Sequence, residues 1–197
     1  MLLTDNNCPY QVNEASNICQ GDILRGLDFK YLASDDDATA GFSFAFPYAV
    51  ILSQACDLQQ HYKNLEENIG KEGDEIKHDK VLDTILVCPA FAHEAVLTGT
   101  HIEGRNMAGF GNSASRKNAY TKLQRNDSFT RFHHLKKIDE MFPELVVDFK
   151  NFHTVPIEII KNVYEDNYLV SLKKLYRERL SQRFTNYLSR IGLPDEV

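Results

Sequence analysis

Tryptophan is absent from this 197-residue sequence, and cysteine is scarce. The four cysteines, Cys8, Cys19, Cys56 and Cys88, show no C-x-x-C or other paired spacing. Four are too few for a disulfide framework in a chain this long. A zinc site built from Cys8, Cys19 and two distant histidines is disfavoured, because that spacing matches no known ligand pattern. No metal or cofactor is predicted. Cys88, inside an apolar run, reads as a small buried hydrophobe. No apolar stretch approaches the roughly 18–20 residues that cross a bilayer. Met1-Leu2-Leu3-Thr4-Asp5 lacks a basic n-region and a long apolar h-region, so no signal peptide is expected. The chain therefore reads as cytoplasmic, with no membrane partner.

Basic residues are scarce in one half. Residues 1–100 hold 6 Lys+Arg against 16 Asp+Glu, a balance of −10, while residues 101–197 hold 16 against 12, a balance of +4. An acidic front and a mildly basic back suggest two faces with different partners; solvated surface is the plainer reading.

The richest stretch is Tyr48-Ala49-Val50-Ile51-Leu52-Ser53-Gln54-Ala55-Cys56-Asp57. An apolar, β-branched run stops at small and polar residues, as a buried strand emerging from a core does. Side chains at such an end can face a pocket while the backbone stays fixed. Residues 1–20 lack periodicity and read as an irregular arm. Strands are expected at Ile23–Phe29, where Gly26 suggests a bulge or close approach, and at Phe44–Ser53. A third is expected from Val81 to about Ala92, ended by Pro89. The patterns then place a strand over Phe129–Leu135 and one over Glu144–Phe149, extended by Phe152–Val155. Helices are expected from Asp57 as N-cap to before Gly70, over His93–Leu97 and over Ser113–Leu123. A helical turn is expected from Pro156 to Ile160. The clearest helix carries Leu172, Tyr176, Leu180, Phe184, Tyr187, Leu188 and Ile191 at three- or four-residue intervals, with Gly192 and Pro194 ending it. Short strands interrupted by helices suggest an α+β fold around a small curled barrel.

Gly21-Asp22-Ile23-Leu24, then Ala49-Val50-Ile51-Leu52-Ser53, then Ile85-Leu86-Val87-Cys88-Pro89 follow one another in an order that resembles the PemK/MazF toxin family. Leu145 to Val155 followed by Pro156 is similar to that family's later strand and the start of its terminal helix. The resemblance covers about half the chain. It implies an SH3-like barrel over residues 21–165, with a helical insert at about 99–137 and a C-terminal helix over 166–197 packed on the barrel. It also implies a toxin–antitoxin or defence-like setting, a protein partner or homodimer, and metal-independent RNA cleavage. Family members commonly carry an Arg just before the second strand, and here that neighbourhood is Phe44-Ala45-Phe46-Pro47-Tyr48. The preceding Asp35-Asp36-Asp37 would repel a phosphate backbone. The expectation is therefore a binding or regulatory protein without the ribonuclease machinery. The alternatives are an endoribonuclease with rearranged groups and a thiol-dependent enzyme.

Three sets of residues carry those readings. Ser53, Cys56 and Asp57 are the catalytic candidates, with Gln54 as a ligand contact. Ser53 occupies the family's hydroxyl position, and Cys56 would sit by a helix N-terminus that favours a thiolate. Its base would be one of His61, His93, His133, His134 or His153. The structural alternative is a strand-to-helix turn with Cys56 packed inside. Arg179, Arg183 and Arg190 fall on one side of the last helix, as an anion clamp or as arginines lying along a packed helix. Arg116 and Lys117 belong to a basic, aromatic-interleaved segment, 101–137, suited to RNA or to the chain's own acidic half. His133 and His134, adjacent in a strand, should face opposite ways, one buried and one solvated.

Overall fold

The computed structural model describes residues 8–13, 17–32, 41–71, 78–105 and 107–190. The Asp35–Asp37 loop, Gly192 and Pro194 lie outside the described residues. Among those described, the chain is α+β: eight strands in one antiparallel sheet, with five α-helices around it. The strands are β1 (Tyr10–Gln11), β2 (Asp22–Leu32), β3 (Gly41–Ile51), β4 (Thr84–Ala92), β5 (Phe132–Leu135), β6 (Leu145–Asp148), β7 (His153–Pro156) and β8 (Tyr168–Leu172). The helices are α1 (Ala55–Glu67), α2 (His93–Thr98), α3 (Ser113–Arg125), α4 (Ile157–Asn167) and α5 (Lys174–Leu188).

The sheet runs β1-β8-β2-β3-β4-β6-β5, with β7 beside β4. Tyr10 and Leu135, from its two ends, share one core cluster. The Tyr10 hydroxyl donates to the Lys136 carbonyl at 2.6 Å. The sheet therefore curls until its edges approach. It is not closed: no ladder joins β1 to β5 among the described residues, so where a small curled barrel was expected the structure has a curled, open sheet.

The central strands are buried on both faces, which is why they read as continuous apolar runs. Along β3, Val50 enters one core with Leu180 and Phe184 of α5, while Ala49 and Ile51 enter another with Leu58 of α1 and Ile160 of α4. A third cluster seats Val96, Leu97, Ala119 and Leu123 of α2 and α3 on Phe91, Phe132 and Val146.

Several expectations change. Residues 10–11 of the presumed irregular arm form β1, paired with β8. Pro89 does not end β4. It falls between Thr84–Val87, taken by β7, and Ala90–Ala92, taken by β6, at a position where neither strand pairs. Gly26 adopts φ +67° but makes no close approach, and the β2–β3 register runs unbroken across it. The irregularity lies instead between β2 and β8 at Ile23/Leu24. α4 runs to Asn167 because Ile157, Ile160 and Tyr164 all point into the core. The segment after it is β8, not helix. Leu172 therefore ends a strand, and the last helix starts at Lys174.

Candidate functional site

The motif after β3 is a strand-to-helix turn. Leu52 N–H donates to the Leu86 carbonyl at 2.8 Å, and Leu86 N–H donates to Ser53 Oγ at 2.7 Å. Ser53 thus prolongs the β3–β4 ladder by one side-chain bond and is itself buried. Its hydroxyl oxygen is used in holding the turn. Ser53→Ala should leave Leu86 N–H without its partner and cost about 1–3 kcal/mol. Chemical denaturation measures this, and an unchanged midpoint would contradict the assignment.

Gln54 is the N-cap of α1, in extended backbone and without a side-chain cap. Asp57 is not the cap, as the sequence suggested; it lies in the first turn, where a carboxylate still suits the positive end of the helix. Cys56 is exposed rather than packed inside. Its thiol lies 3.6 Å from Gln54 Oε1 and 3.5 Å from Asp57 Oδ1. None of the candidate bases is bonded to it. His61 is buried and accepts Leu82 N–H through Nδ1 at 3.0 Å. His153 packs against Phe44 and Phe46, and the other three lie in clusters described below. The geometry thus supplies a thiol beside a carboxylate, without the base that thiol chemistry needs.

What the motif does border is space. One cavity of about 500 Å³ lies between α1 and the 17–20 segment, and another of about 520 Å³ lies between the motif and α5. Both are lined by Gln20, Ala55 and Arg177, so they adjoin across these shared residues as a two-lobed cleft. Gln20 spans its floor, donating to the Leu52 carbonyl at 3.1 Å and to Ser181 Oγ at 2.7 Å. Gly21, at φ +84°, lets the chain turn into β2. A Cβ there would stand 3.2 Å from Arg177 Cγ, so the glycine also gives the arginine stem its place. Arg177 Nε is buried without a hydrogen-bond partner among the described residues. Lys63 lines the α1 wall, and Glu66 and Glu178 lie among the lining residues. Cys19 also lines the cleft; burial first, then Asp22, pushes its thiol pKa up.

The presumed arginine row of α5 separates. Arg183 donates to the carbonyls of Asn126, Phe129 and Phe132, the latter two at 2.6 and 2.8 Å, and so closes the C-terminal end of α3. Arg190 lies over the Tyr187 ring and reaches Thr130. Arg179 is exposed. Arg116 and Lys117 are exposed on α3, Arg116 bonding the Gly111 carbonyl at 3.0 Å. No described hydrogen bond or ion pair joins any of these to Ser53.

Three polar clusters, two of them centred on fully buried carboxylates, escaped the sequence reading. Asp22, fully buried, accepts Cys19 N–H and the Tyr164 hydroxyl, both at 2.6 Å, and the Ser171 hydroxyl. Burial outweighs these donors and raises its pKa. Asp148, also fully buried, pairs in two-pronged fashion with Arg131 at 2.6 and 2.5 Å. Glu144 accepts the Tyr120 hydroxyl and lies 3.7 Å from His93 Nδ1 and 3.8 Å from His134 Nε2. Burial, then Glu144, lifts the Tyr120 phenol to about 12. His133 and His134 do face opposite ways, against Phe149 and Tyr120, but both are buried. Among the described residues no group of three His, Cys, Asp or Glu is arranged to hold a metal ion. No helix among them is long and apolar enough to cross a membrane.

No protein-family model matches the chain, and no curated protein matches it.

Proposed function

We propose that this chain is a non-catalytic binding protein whose site is the cleft around Arg177. The observation that carries the reading is that its most distinctive motif borders, through Gln54, Ala55 and Cys56, the two-lobed cleft holding an arginine with an unpartnered, buried Nε. A guanidinium so placed is suited to a carboxylate, which it can bind through parallel N–H donors. The occupant is a carboxylate-bearing segment of a protein partner. The cleft's size supports a segment over a single ion; Lys63 on the α1 wall is paired with Glu67 at 3.7 Å, which leaves Arg177 as the anchor. The curled sheet with α5 against its inner face is compatible with a PemK/MazF-like barrel left open. That resemblance implies a toxin–antitoxin or defence-like setting.

The ribonuclease alternative requires Ser53 and arginines to act together. Ser53 holding Leu86 N–H, and Arg183 holding three carbonyls, weigh against it. The thiol-enzyme alternative requires a base at Cys56, and the groups bonded there are an amide and a carboxylate.

A short poly-glutamate peptide is the probe. It should bind the full chain, shift the Arg177 Nε–Hε resonance and bind about ten-fold more weakly to Arg177→Gln. Equal binding by Arg177→Gln would overturn the site. RNA cleavage that persists in chelator and disappears in Ser53→Ala would overturn the non-catalytic reading.

A further inference from the structure

The open sheet leaves a seam where β1 and β5 approach, and this seam holds a cavity apart from the α1–α5 cleft. A cavity of about 270 Å³ there is lined by Pro9, Tyr10, Arg125, His133, Lys136 and Arg179, among others. No carboxylate is among its described lining residues. His134 and Gln124 line both this cavity and a neighbouring one of about 350 Å³ that extends to Lys137. The carboxylates of that second cavity are already engaged: Asp139 with Lys137 at 2.9 Å, and Glu144 with Tyr120.

One buried imidazole lies on the α5 side of this cavity. His134 turns the other way, its Nε2 3.8 Å from Glu144, whereas His133 is 5 % exposed and its Nδ1 has no hydrogen-bond partner among the described residues. Buried polar atoms are nearly always paired, so an orphaned nitrogen at a cavity marks a place where a ligand atom can sit. Arg125, Lys136 and Arg179, which also line the cavity, are exposed and enter no ion pair among the described residues. At the C-terminal end of α3 the Asn126 carbonyl, which would repel an anion, is taken by Arg183. Tyr10, Leu172 and Tyr176 supply an apolar wall.

We propose that the seam binds a small phosphorylated molecule, with its phosphate held by Arg125, Lys136 and Arg179 beside the His133 imidazole. Phosphate matches this set because its oxygens accept from several cationic and neutral donors at once, in a pocket whose walls limit solvent screening. The volume lies just under the ~300–1,000 Å³ of ordinary ligand pockets, which favours a compact phosphorylated group over a polymer. The positive field of Arg183 and Arg179 also helps keep His133 neutral, and the same field favours an anion beside it.

Pyrophosphate is the first probe, read by the side-chain 15N resonances of the histidines in the full chain. It should shift His133 and saturate. A nucleoside diphosphate should compete at the same residues if the natural source is a nucleotide, and should fail to compete if it is a free polyphosphate; either result keeps the site. Arg125→Gln/Arg179→Gln, both exposed positions, should weaken pyrophosphate binding at least about ten-fold. Arg116→Gln/Arg190→Gln should not weaken it. Arg177→Gln should leave it unchanged, which separates this site from the α1–α5 cleft. Absence of histidine shifts, equal loss in the control pair, or binding of an oligonucleotide without pyrophosphate binding would each overturn the proposal.

Discussion

Asp148→Ala is expected to lose roughly 3–5 kcal/mol of stability, the range for breaking a buried ion pair from one side. Asp148 ends β6 with its carboxylate fully buried. It accepts Arg131 Nε and Nη2 at 2.6 and 2.5 Å, Asn151 Nδ2 at 2.5 Å and Lys150 N–H at 3.2 Å. His101 Nε2 lies 3.5 Å away. Removing the carboxylate strands a guanidinium that lies over Phe132 and unties the 3₁₀ turn at Phe149–Asn151 leading into β7. Burial works against the ionised form, yet Arg131 and the other donors win and hold the pKa down to about 2. The urea midpoint measures the loss. The double change Asp148→Leu/Arg131→Leu should be milder than Asp148→Ala, because it leaves no unpaired charge. A loss under about 1 kcal/mol for Asp148→Ala would mean that solvent already screens the pair.

The strands and helices legible in the sequence are those whose burial leaves a simple pattern. β3 and β4 read as apolar runs because both their faces are covered. α3 and α5 read as helices because one face of each is. β8 was illegible for a specific reason: Leu172 stands in helical register with Tyr176 and Leu180, so the periodicity of α5 absorbs the strand before it. β1 is two residues long, and its pairing with β8 is a tertiary event that no local pattern announces. Closure of the barrel was likewise not written locally, since it depends on whether two distant edges meet in register.

Site legibility followed the same division. The motif after β3 could be located because an apolar run ends there, but the role of Ser53 depends on Leu86, 33 residues away. The arginine row of α5 followed from helical spacing alone. Arg183 leaves that row because the α3–β5 turn brings three carbonyls to it. Arg177, in the same helix, carried no signal of its own. Its position next to Gly21 arises from the pairing of β8 with β2. The glycine before Asp22 was the available clue, as a residue that lets another backbone or side chain come close. His133 and His134 could be placed on opposite faces, whereas the burial of both depends on α3 and α5 closing over β5.

Acid should destabilise the chain well above the range where carboxylates titrate, and His133 is the main reason. Burial, then Arg183, His134 and Arg179, lowers its pKa to about 3, against about 6.5 for an unperturbed imidazole. Below pH 6.5 the unfolded chain takes up a proton at this imidazole and the native chain does not. Protonation therefore favours unfolding, and stability falls as pH falls until about pH 3, where the native imidazole also titrates. At 1.36 kcal/mol per pH unit this amounts to about 3 kcal/mol between pH 6.5 and pH 4. The pKa values of His61, His134 and His153 are also lowered by burial and act in the same direction. Asp148 adds its loss only below pH 3.8, since its depressed pKa concerns a carboxylate. Asp22 opposes the trend. Its raised pKa makes the native state bind a proton first, so between that pKa and 3.8 acid favours the fold there. Denaturation midpoints of the chain and of His133→Leu, measured from pH 7 to pH 4, isolate the effect. The variant's absolute stability is immaterial; the readout is the slope, which should flatten by about 3 kcal/mol over that span. Parallel slopes would mean that water or a ligand reaches the His133 imidazole in the folded chain. In that case the seam between β1 and β5 would be open enough for His133 to titrate like an exposed residue.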